Sequence, residues 1–483
     1  MNYRIILKNI GFVVLIEAGC MVPSLIVSLI YGQGDALAFL LTILIMLLIG
    51  VVLRGIKPLT KNIYARDGFA IVSLGWLAMS VLGALPYLFS GAIPSAVDAL
   101  FESVSGFTTT GSSILKQIEG LPKGILFWRS FTHWIGGMGV LVLTLAVLPS
   151  ANGSTLHIMK AESPGPNPEK LVPKMGQTAK ILYTIYIALT AMQVVLLLIA
   201  GIPLYDSFIH AFGTAGTGGF SNRNLSIGAY GNVYAEVIIT VFMLLFGTNF
   251  ALYYQSLKGN LKSALKDDEF RFYLGTVLAA IIMITIDING TVYNSIGESI
   301  RYSAFQVSSI ITTTGYSTTD FNLWPVFSKA ILLMLMFVGA SAGSTGGGIK
   351  CIRILVILKM AKREVSKVIH PRSVYTVKIG GKALSEEGLS GIATYFFISI
   401  FIFVMSALVV SLDGKDMVTS FTAVATTISN VGPGLGMIGP MGSFADFSVL
   451  SKIVCSFCML VGRLEIFPVL ILFSPIFWKR VNI

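Results

Sequence analysis

Stretches of apolar residues long enough to cross a membrane recur along the whole chain. They lie at about 10–32, 36–53, 69–91, 125–148, 181–202, 233–255, 272–288, 327–349, 389–412 and 447–477. Each is near or above the roughly 20 residues that an α-helix needs to cross about 30 Å of hydrocarbon. The pattern therefore predicts ten membrane spans. The first has no small-residue cleavage site and a second follows at once, so we expect a retained helix and not a signal peptide.

Short amphipathic stretches followed by threonine and glycine interrupt this series four times. The stretches lie at about 96–107, 205–212, 295–310 and 417–426. The loops after them read TTTGS at 108–112, TAGTGGF at 214–220, ITTTGY at 311–316 and TISNVGP at 427–433. Each stretch is too short to cross a membrane but suits a half-helix that enters and returns. The four copies predict an internal repeat of about 100 residues that excludes the first two spans.

This organisation predicts a fold class. We expect an all-α polytopic membrane protein in which four helix–re-entrant P-loop–helix repeats surround a central pore. Two extra N-terminal transmembrane helices are expected at 1–66, and the pore repeats at 67–178, 179–270, 271–385 and 386–483.

Composition and charge agree with a bilayer environment. The chain is 54% hydrophobic and 12% charged, whereas about a quarter of the residues of a soluble domain are charged. The net charge of +11 could indicate a nucleic-acid partner, but no basic stretch is interleaved with aromatic residues as single-strand binding requires. The basic residues instead concentrate in alternate loops. By the positive-inside rule this places both termini in the cytoplasm and all four short stretches on the opposite side.

Threonine and glycine in these loops suit a cation. Non-helical backbone at membrane depth is tolerated only where it is buried or lines water, because its polar groups are costly against lipid. Glycine lets successive carbonyls turn toward one axis, and threonine adds a hydroxyl oxygen. Four such loops could form oxygen rings that replace the hydration shell of a monovalent cation. The C-terminal ends of the half-helices would add partial negative charge. One such loop alone would indicate only a turn, but four on the same side favour an ion pathway.

Two later features could obstruct that pathway. Residues 339–348 read GASAGSTGGG, which is too glycine-rich for a regular helix, so a break is predicted there. The segment lacks the order of a phosphate-binding loop. In the last span, Arg463 and Glu465 are charges within apolar sequence and therefore candidates for function. For Arg463, a role near the pathway and an interhelical ion pair both remain open. Arg129 and His133 are predicted to be interfacial and structural.

Enzymatic chemistry is not indicated. The chain has four histidines and four cysteines, and the C-x-x-C at 455–458 has no second pair that could complete a zinc site. We therefore expect no enzyme and no covalently bound cofactor. A secondary transporter that couples proton or sodium to solute movement is the alternative, because such transporters also use broken helices. Two halves of opposite orientation would favour it.

The loops and the leading spans together resemble the Trk/Ktr/HKT superfamily of potassium transporters, most closely its bacterial TrkH family. The resemblance covers essentially the whole chain, and the pair of leading spans is similar to one that TrkH has and KtrB lacks. The filter glycines of the superfamily correspond to Gly111, Gly218, Gly315 and Gly432. Sodium-preferring plant relatives have serine at the first position, so Gly111 favours potassium. The second and fourth loops depart from the pattern, which implies an asymmetric filter.

The resemblance also implies site residues and partners. The implied potassium-binding filter comprises Thr109, Thr110, Gly111, Thr217, Gly218, Thr313, Thr314, Gly315, Asn430, Val431 and Gly432. The implied gate comprises Gly343, Ser344, Thr345, Gly346, Gly347, Gly348 and Arg463. The implied function is channel-like potassium uptake across the bacterial cytoplasmic (inner) membrane by a homodimer with a TrkA-type nucleotide-binding regulatory ring. The cytoplasmic loops at 151–180 and 359–387 could bind such a ring or anionic lipid.

Overall fold

The computed structural model describes residues 1–58, 64–139, 175–373 and 375–478. The end of the predicted span at 125–148 and most of the predicted docking loop at 151–180 lie outside the described residues.

Helices make up nearly all of the regular structure in this part of the chain. In chain order they are α1 Tyr3–Tyr31, α2 Ala36–Arg54, α3 Ala65–Gly83, α4 Leu85–Phe89, α5 Ala96–Phe107, α6 Lys123–Gly137, α7 Met175–Ile199, α8 Leu204–Ala215, α9 Val233–Phe246, α10 Phe250–Leu257, α11 Leu261–Leu265, α12 Asp268–Ile288, α13 Ile296–Ile311, α14 Val326–Val338, α15 Cys351–Ile369, α16 Glu386–Ser411, α17 Met417–Ile428, α18 Val449–Arg463, α19 Phe467–Leu472 and α20 Pro475–Trp478. Short 3-10 turns lie at Ser226–Tyr230, Phe321–Leu323 and Gly436–Ile438. Strands β1 Lys378–Ile379 and β2 Lys382–Ala383 form an antiparallel hairpin.

Several of these helices are long and apolar enough to cross a membrane. Within the described residues six qualify: Tyr3–Tyr31, Ala36–Arg54, Arg66–Phe89, Gln177–Ile199, Asp268–Ile288 and Glu386–Ser411. The pair α9 and α10 would form a seventh span, but the two helices are bent by 91° at the break between them. The chain is thus an all-α polytopic membrane protein, as its apolar pattern predicts.

The four short amphipathic helices are α5, α8, α13 and α17, and they are arranged cyclically. α8 packs against α6, α13 against α9 and α17 against α14, so each contacts the helix that follows the preceding short helix. α5 packs against α18, the corresponding helix after the last short one. The four segments therefore close into a ring. α1 packs beside this ring, against α2, α3 and α6.

Three predicted spans are interrupted. The sequence predicts the break at 339–348, and the helix there ends at Val338 and resumes only at Cys351. The predictions of continuous spans at 233–255 and 447–477 were wrong. α9 ends at Phe246 before a Gly-Thr-Asn turn whose Asn249 caps α10, and α18 ends at Arg463. Backbone with positive φ follows Arg463, at Glu465 (58°) and Ile466 (65°), and an α-helix cannot continue through it.

Candidate functional site

All four short helices end in the same hydrogen-bonded motif. The second residue beyond each helix cap donates its N–H to a carbonyl five residues earlier. These bonds are Thr110 to Ser105 (2.9 Å), Gly218 to Gly213 (2.8 Å), Thr314 to Ser309 (2.8 Å) and Val431 to Thr426 (2.9 Å). This is the Schellman motif, which satisfies the free carbonyls at a helix end. The half-helices thus end at equivalent positions. The loops that follow them are called filter loops 1 to 4 and lie at 108–112, 216–220, 312–316 and 429–433.

The turn in each loop requires an unusual backbone conformation. The residue before each donor has a left-handed backbone: Thr109 (φ 55°), Thr217 (54°), Thr313 (59°) and Asn430 (55°). Asparagine tolerates this region, whereas a β-branched threonine does so at a cost of about 1–3 kcal/mol. Such strain persists only where surrounding structure determines the conformation, and it clusters at functional sites. Its occurrence at three threonines in equivalent positions indicates that these loops are held by tertiary packing.

The conformations also correct the sequence alignment of filter loop 2. The glycine after the donor has positive φ at Gly111 (80°), Gly315 (82°) and Gly432 (102°), and in filter loop 2 the matching residue is Gly219 (77°). Gly218, which the sequence pairs with these glycines, instead corresponds to Thr110. The sequence could not decide between two adjacent glycines, because the alignment depends on where α8 ends.

The four filter loops contact one another in a closed cycle. A Cβ added to Gly111 would overlap the carbonyl oxygen of Gly218, one added to Gly219 that of Thr314, and one added to Gly315 that of Val431. A Cβ on Gly432 would lie 2.8 Å from the carbonyl oxygen of Thr110, which returns the cycle to filter loop 1. Each glycine thus faces the residue before the equivalent glycine of the next loop. A side chain fits at none of the four positions without displacing a neighbour.

Most backbone oxygens at the centre of these loops have no hydrogen-bond partner among the described residues. In the part of the chain that the structure describes, no hydrogen bond ends on the carbonyls of Thr109, Thr110, Gly111, Thr217, Gly218, Gly219, Thr313, Thr314, Gly315, Asn430 and Val431. The carbonyl of Gly432 accepts a bond from the Ser112 hydroxyl (3.1 Å). Buried carbonyls without partners are rare, because each costs free energy. A ring of them can instead bind a desolvated cation.

One cavity opens onto all four loops. Gly111, Gly219, Gly315 and Gly432 line it together. Its wall is polar and includes Ser112, Ser221, Asn224 and Ser317. Lys116, which lines this cavity and follows filter loop 1, pairs with Asp446, which follows filter loop 4; the Lys116 Nζ lies 2.6 Å from the Asp446 Oδ1. The four loops therefore share one cavity.

A buried ion pair braces filter loops 1 and 2. The Arg129 Nε lies 2.5 Å from the Glu102 Oε1, and both side chains are almost fully buried. The Arg129 Nη1 donates to the carbonyl of Ser221 (3.0 Å), and Glu102 accepts from the Ile114 N–H (3.0 Å). Sequence analysis predicted a structural role for Arg129 and His133, and both are buried within the protein. It did not identify Glu102 as the partner of Arg129. The sequence feature that could have revealed the pair is the presence of ionisable residues within apolar sequence.

Further bonds join the other neighbouring loops. The Tyr316 hydroxyl donates to the carbonyl of Phe220 (3.2 Å), which ties filter loop 3 to filter loop 2. The Gly436 N–H donates to the Asn322 Oδ1 (3.0 Å), which ties the stretch after filter loop 4 to the stretch after filter loop 3. The Phe444 N–H donates to the carbonyl of Ser113 (2.8 Å) and closes the ring.

Replacing Arg129 by glutamine is expected to destabilise the protein by about 3–5 kcal/mol, because it leaves the Glu102 carboxylate buried without its counter-charge. The thermal midpoint of the purified protein measures this loss. The double variant Glu102→Gln with Arg129→Gln removes both charges and should regain most of the stability. A single variant as stable as the wild type would contradict a bracing role.

The glycine-rich segment at 339–350 lies directly against filter loops 3 and 4. The Gly347 N–H donates to the Thr313 Oγ1 (2.6 Å), and a Cβ on Gly347 would lie 2.7 Å from the carbonyl oxygen of Ser429. Thr345 donates its N–H to the carbonyl of Phe246 (3.3 Å). The buried Lys350 ammonium donates to the carbonyl of Gly346. The segment thus crosses the side of the ring at which the short helices end.

Arg463 joins this segment to the end of α6. Its Nη1 donates to the carbonyl of Thr345 (2.8 Å), and its Nη2 to those of Gly136 (2.5 Å) and Gly137 (2.7 Å) at the end of α6. Glu465 instead pairs with Arg353 at 2.5 Å. The two charges of the last span therefore have separate partners, as their two-residue spacing predicts.

Comparisons with known proteins give the family. The family model for TrkH, described as a cation transport protein, matches residues 36–480. The chain belongs to the TrkH family. Among TrkH-family relatives, it is 37% identical over 485 residues to the Trk system potassium uptake protein TrkH of Salmonella typhimurium, which covers 99% of this chain and 100% of that protein. It is 35% identical to the Trk system potassium uptake protein TrkG of Escherichia coli, with 99% of each chain covered.

A solved TrkH-family structure has the same fold. The crystal structure of the potassium transporter TrkH from Vibrio parahaemolyticus matches with a TM-score of 0.89 at 35% identity, covering 99% of this chain and 100% of that one. Membership of the TrkH family confirms the predictions of the family and of a protein that is not an enzyme. Within the described residues, His, Cys, Asp and Glu side chains form no group of three or more suited to a metal ion.

Proposed function

We propose that the chain is a potassium uptake protein that conducts the ion across the bacterial cytoplasmic membrane through the ring of filter loops. The observation that carries this proposal is the closed cycle of four loops in which eleven backbone oxygens, from Thr109 to Val431, accept no hydrogen bond from the described residues. Oxygen rings of this kind replace the water around a potassium ion. The relatives named above are potassium uptake proteins, which supports the choice of ion.

In this proposal the filter is built from backbone and threonine oxygens. Its residues are Thr109, Thr110, Gly111, Thr217, Gly218, Gly219, Thr313, Thr314, Gly315, Asn430, Val431 and Gly432. The Schellman motifs fix the direction of each loop, and the C-terminal ends of the half-helices bring partial negative charge toward the ion. The pore units are proposed at 67–178, 179–270, 271–385 and 386–483, after the helix pair within 1–66.

The glycine-rich segment is the proposed gate. Gly343, Ser344, Thr345, Gly346, Gly347 and Gly348 would have to move away from Thr313 before an ion could leave the filter. Arg463 would hold the segment in place through Thr345 and would oppose a cation with its positive charge. Permeation would therefore require that the hydrogen bonds of Gly347 and Arg463 break.

Regulation is proposed to come from the cytoplasmic side. The positive-inside rule favours the cytoplasmic side for both termini, for α15 and for the β1–β2 hairpin, because lysines and arginines are frequent there. Lys359 pairs with Asp268 (3.0 Å) beside the hairpin, so this surface is attached to the start of α12. By family resemblance, we propose that a TrkA-type nucleotide-binding ring docks on this surface of a homodimer. α15 begins directly after the glycine-rich segment and could carry a displacement to it.

Reversal potentials of the purified protein in liposomes test the function. Under opposed potassium, sodium and proton gradients, the potential is expected to follow the potassium gradient alone. Dependence on the proton or sodium gradient would favour the alternative of a coupled secondary transporter. Absence of potassium current in the presence of correctly folded protein would reject the proposal.

A further inference from the structure

A second cavity lies on the membrane side of the glycine-rich segment. Five elements that do not line the first cavity meet here: the end of α14, the glycine-rich segment, the middle of α16, the end of α17 and the end of α18 with the break after it. Phe337, Ile349, Tyr395, Phe403, Ile428 and Ile466 form most of its wall. Gly348 of the proposed gate, Gly462 in the last turn of α18 and Ser429 of filter loop 4 also line it. The cavity thus borders the glycine-rich segment at Gly348 and, at Gly462, the residue before Arg463.

The mouth of this cavity is on the lipid-facing side of α16. Ile400, which lines the cavity, is 47% exposed, and its neighbours Phe397 and Phe401 are exposed on the same helix. Ile466 and Tyr395, at the inner wall, are 1% and 5% exposed. Ile400 lies at the middle of the 26-residue helix α16. In a helix that crosses the bilayer, this position is at the depth of the acyl chains.

The cavity offers an occupant little hydrogen bonding. The hydroxyl of Ser399, one of its few polar groups, donates to the carbonyl of Tyr395 at 2.7 Å. Ser429 and the hydroxyl of Tyr395 are the other polar side-chain groups, and the remaining wall is aliphatic, aromatic or glycine. A polar headgroup would lose its hydration there without replacement, whereas hydrocarbon would lose nothing. The chemistry of the wall and the depth of its mouth both favour hydrocarbon.

We propose that this cavity binds an acyl chain of a membrane phospholipid, which packs between Gly348 and Gly462 and stabilises the arrangement in which the glycine-rich segment covers the filter. Its effect on flux rests on the proposed function, whereas its binding does not. A ligand that binds one of two arrangements shifts the population toward that arrangement. The acyl chain therefore opposes opening, and membrane lipid acts as an inhibitor of this transporter.

Photo-crosslinking tests the binding. The full chain is reconstituted in liposomes that contain phosphatidylcholine with a diazirine at the middle of one acyl chain, irradiated and mapped by mass spectrometry. Adducts are expected on Tyr395 and Ile466, which bulk lipid cannot reach. Adducts confined to the exposed Phe397 and Phe401 would overturn the proposal. So would inner-wall labelling that free hexadecane removes but unlabelled phosphatidylcholine does not, because the occupant would then be a free apolar solute.

Two variants on α16 distinguish an effect of the cavity from an effect of the exposed helix surface. Ser399→Phe places a ring inside the cavity, and Val404→Phe adds the same ring at an exposed position outside it. Ser399→Phe should abolish the inner-wall adducts and lower basal potassium flux at least about twofold, because the ring replaces the acyl chain permanently. Val404→Phe should change neither. Equal flux in the two variants would overturn the link to the gate. Absence of potassium flux in the wild type would reject the proposed function. The crosslinked adducts would still show whether an acyl chain binds in the cavity.

Discussion

Replacing Gly111 by serine is expected to lower the potassium-to-sodium permeability ratio about tenfold, equivalent to about 1.4 kcal/mol of lost discrimination. Gly111 has positive φ, and a Cβ there would overlap the carbonyl oxygen of Gly218. The side chain must push filter loop 2 away and thereby displace the oxygens that the two loops contribute. A distorted oxygen ring fits the potassium ion less well, and sodium is then less strongly rejected. Reversal potentials in liposomes with potassium on one side and sodium on the other measure the ratio.

Two further glycines serve as controls for this prediction. Gly120 also has positive φ (103°), but no atom lies within 4 Å of an added Cβ, so Gly120→Ser has the backbone strain without the overlap. It should leave the permeability ratio unchanged. Gly432→Ser should act as Gly111→Ser does but more weakly, because its Cβ would lie 2.8 Å from the nearest oxygen. Equal ratios in wild type and Gly111→Ser would exclude Gly111 from the filter.

Deleting Gly346, Gly347 and Gly348 is expected to raise basal potassium flux about tenfold, which corresponds to removing a preference of about 1.4 kcal/mol for the closed arrangement. The deletion removes the hydrogen bond from Gly347 to Thr313 and the acceptor of the Lys350 ammonium. The shortened segment can no longer reach across the filter. Potassium efflux from loaded liposomes, without any regulatory partner, measures the basal rate.

A point variant tests the same contact at unchanged length. Gly347→Ala places a Cβ 2.7 Å from the Ser429 oxygen and 2.8 Å from the Asn430 Cβ, so the segment must shift away from filter loop 4. A smaller rise in flux is expected than for the deletion. Gly275→Ala on α12 has open space around its Cβ and should have no effect. If both the deletion and Gly347→Ala reduce flux in folded protein, the segment is a packing element and not a gate.

The sequence predicted the elements of this fold better than their mutual arrangement. Apolar length and the four Thr-Gly loops suffice for membrane helices and short half-helices, because both signals are local. The contacts between loops join residues about 100 or more positions apart, such as Thr110 and Gly432, and only tertiary structure reveals them. The same limit hid the pairing of Arg129 with Glu102, since each residue alone indicates only a costly buried charge.

Errors in the prediction occurred where one signal was ambiguous or masked by another. The sequence alignment chose Gly218, the first of two adjacent glycines in filter loop 2, but the end of α8 makes Gly219 the equivalent residue. The breaks at Phe246 and Arg463 lie in stretches that are apolar enough to cross a membrane, so hydrophobicity alone could not predict them. At 339–348 the glycine content exceeds what a helix tolerates, and the break could be predicted.

The helix-end motif restricts how the filter loops can rearrange. A peptide flip between Thr109 and Thr110 would turn an amide hydrogen toward the centre of the ring and withdraw an oxygen. The same flip would break the bond from the Thr110 N–H to Ser105, and an equivalent bond opposes it in each of the other loops. In the proposed filter, the amide hydrogens of these four peptides are therefore held away from the ion path. An anion could not bind to them unless a helix end first came apart.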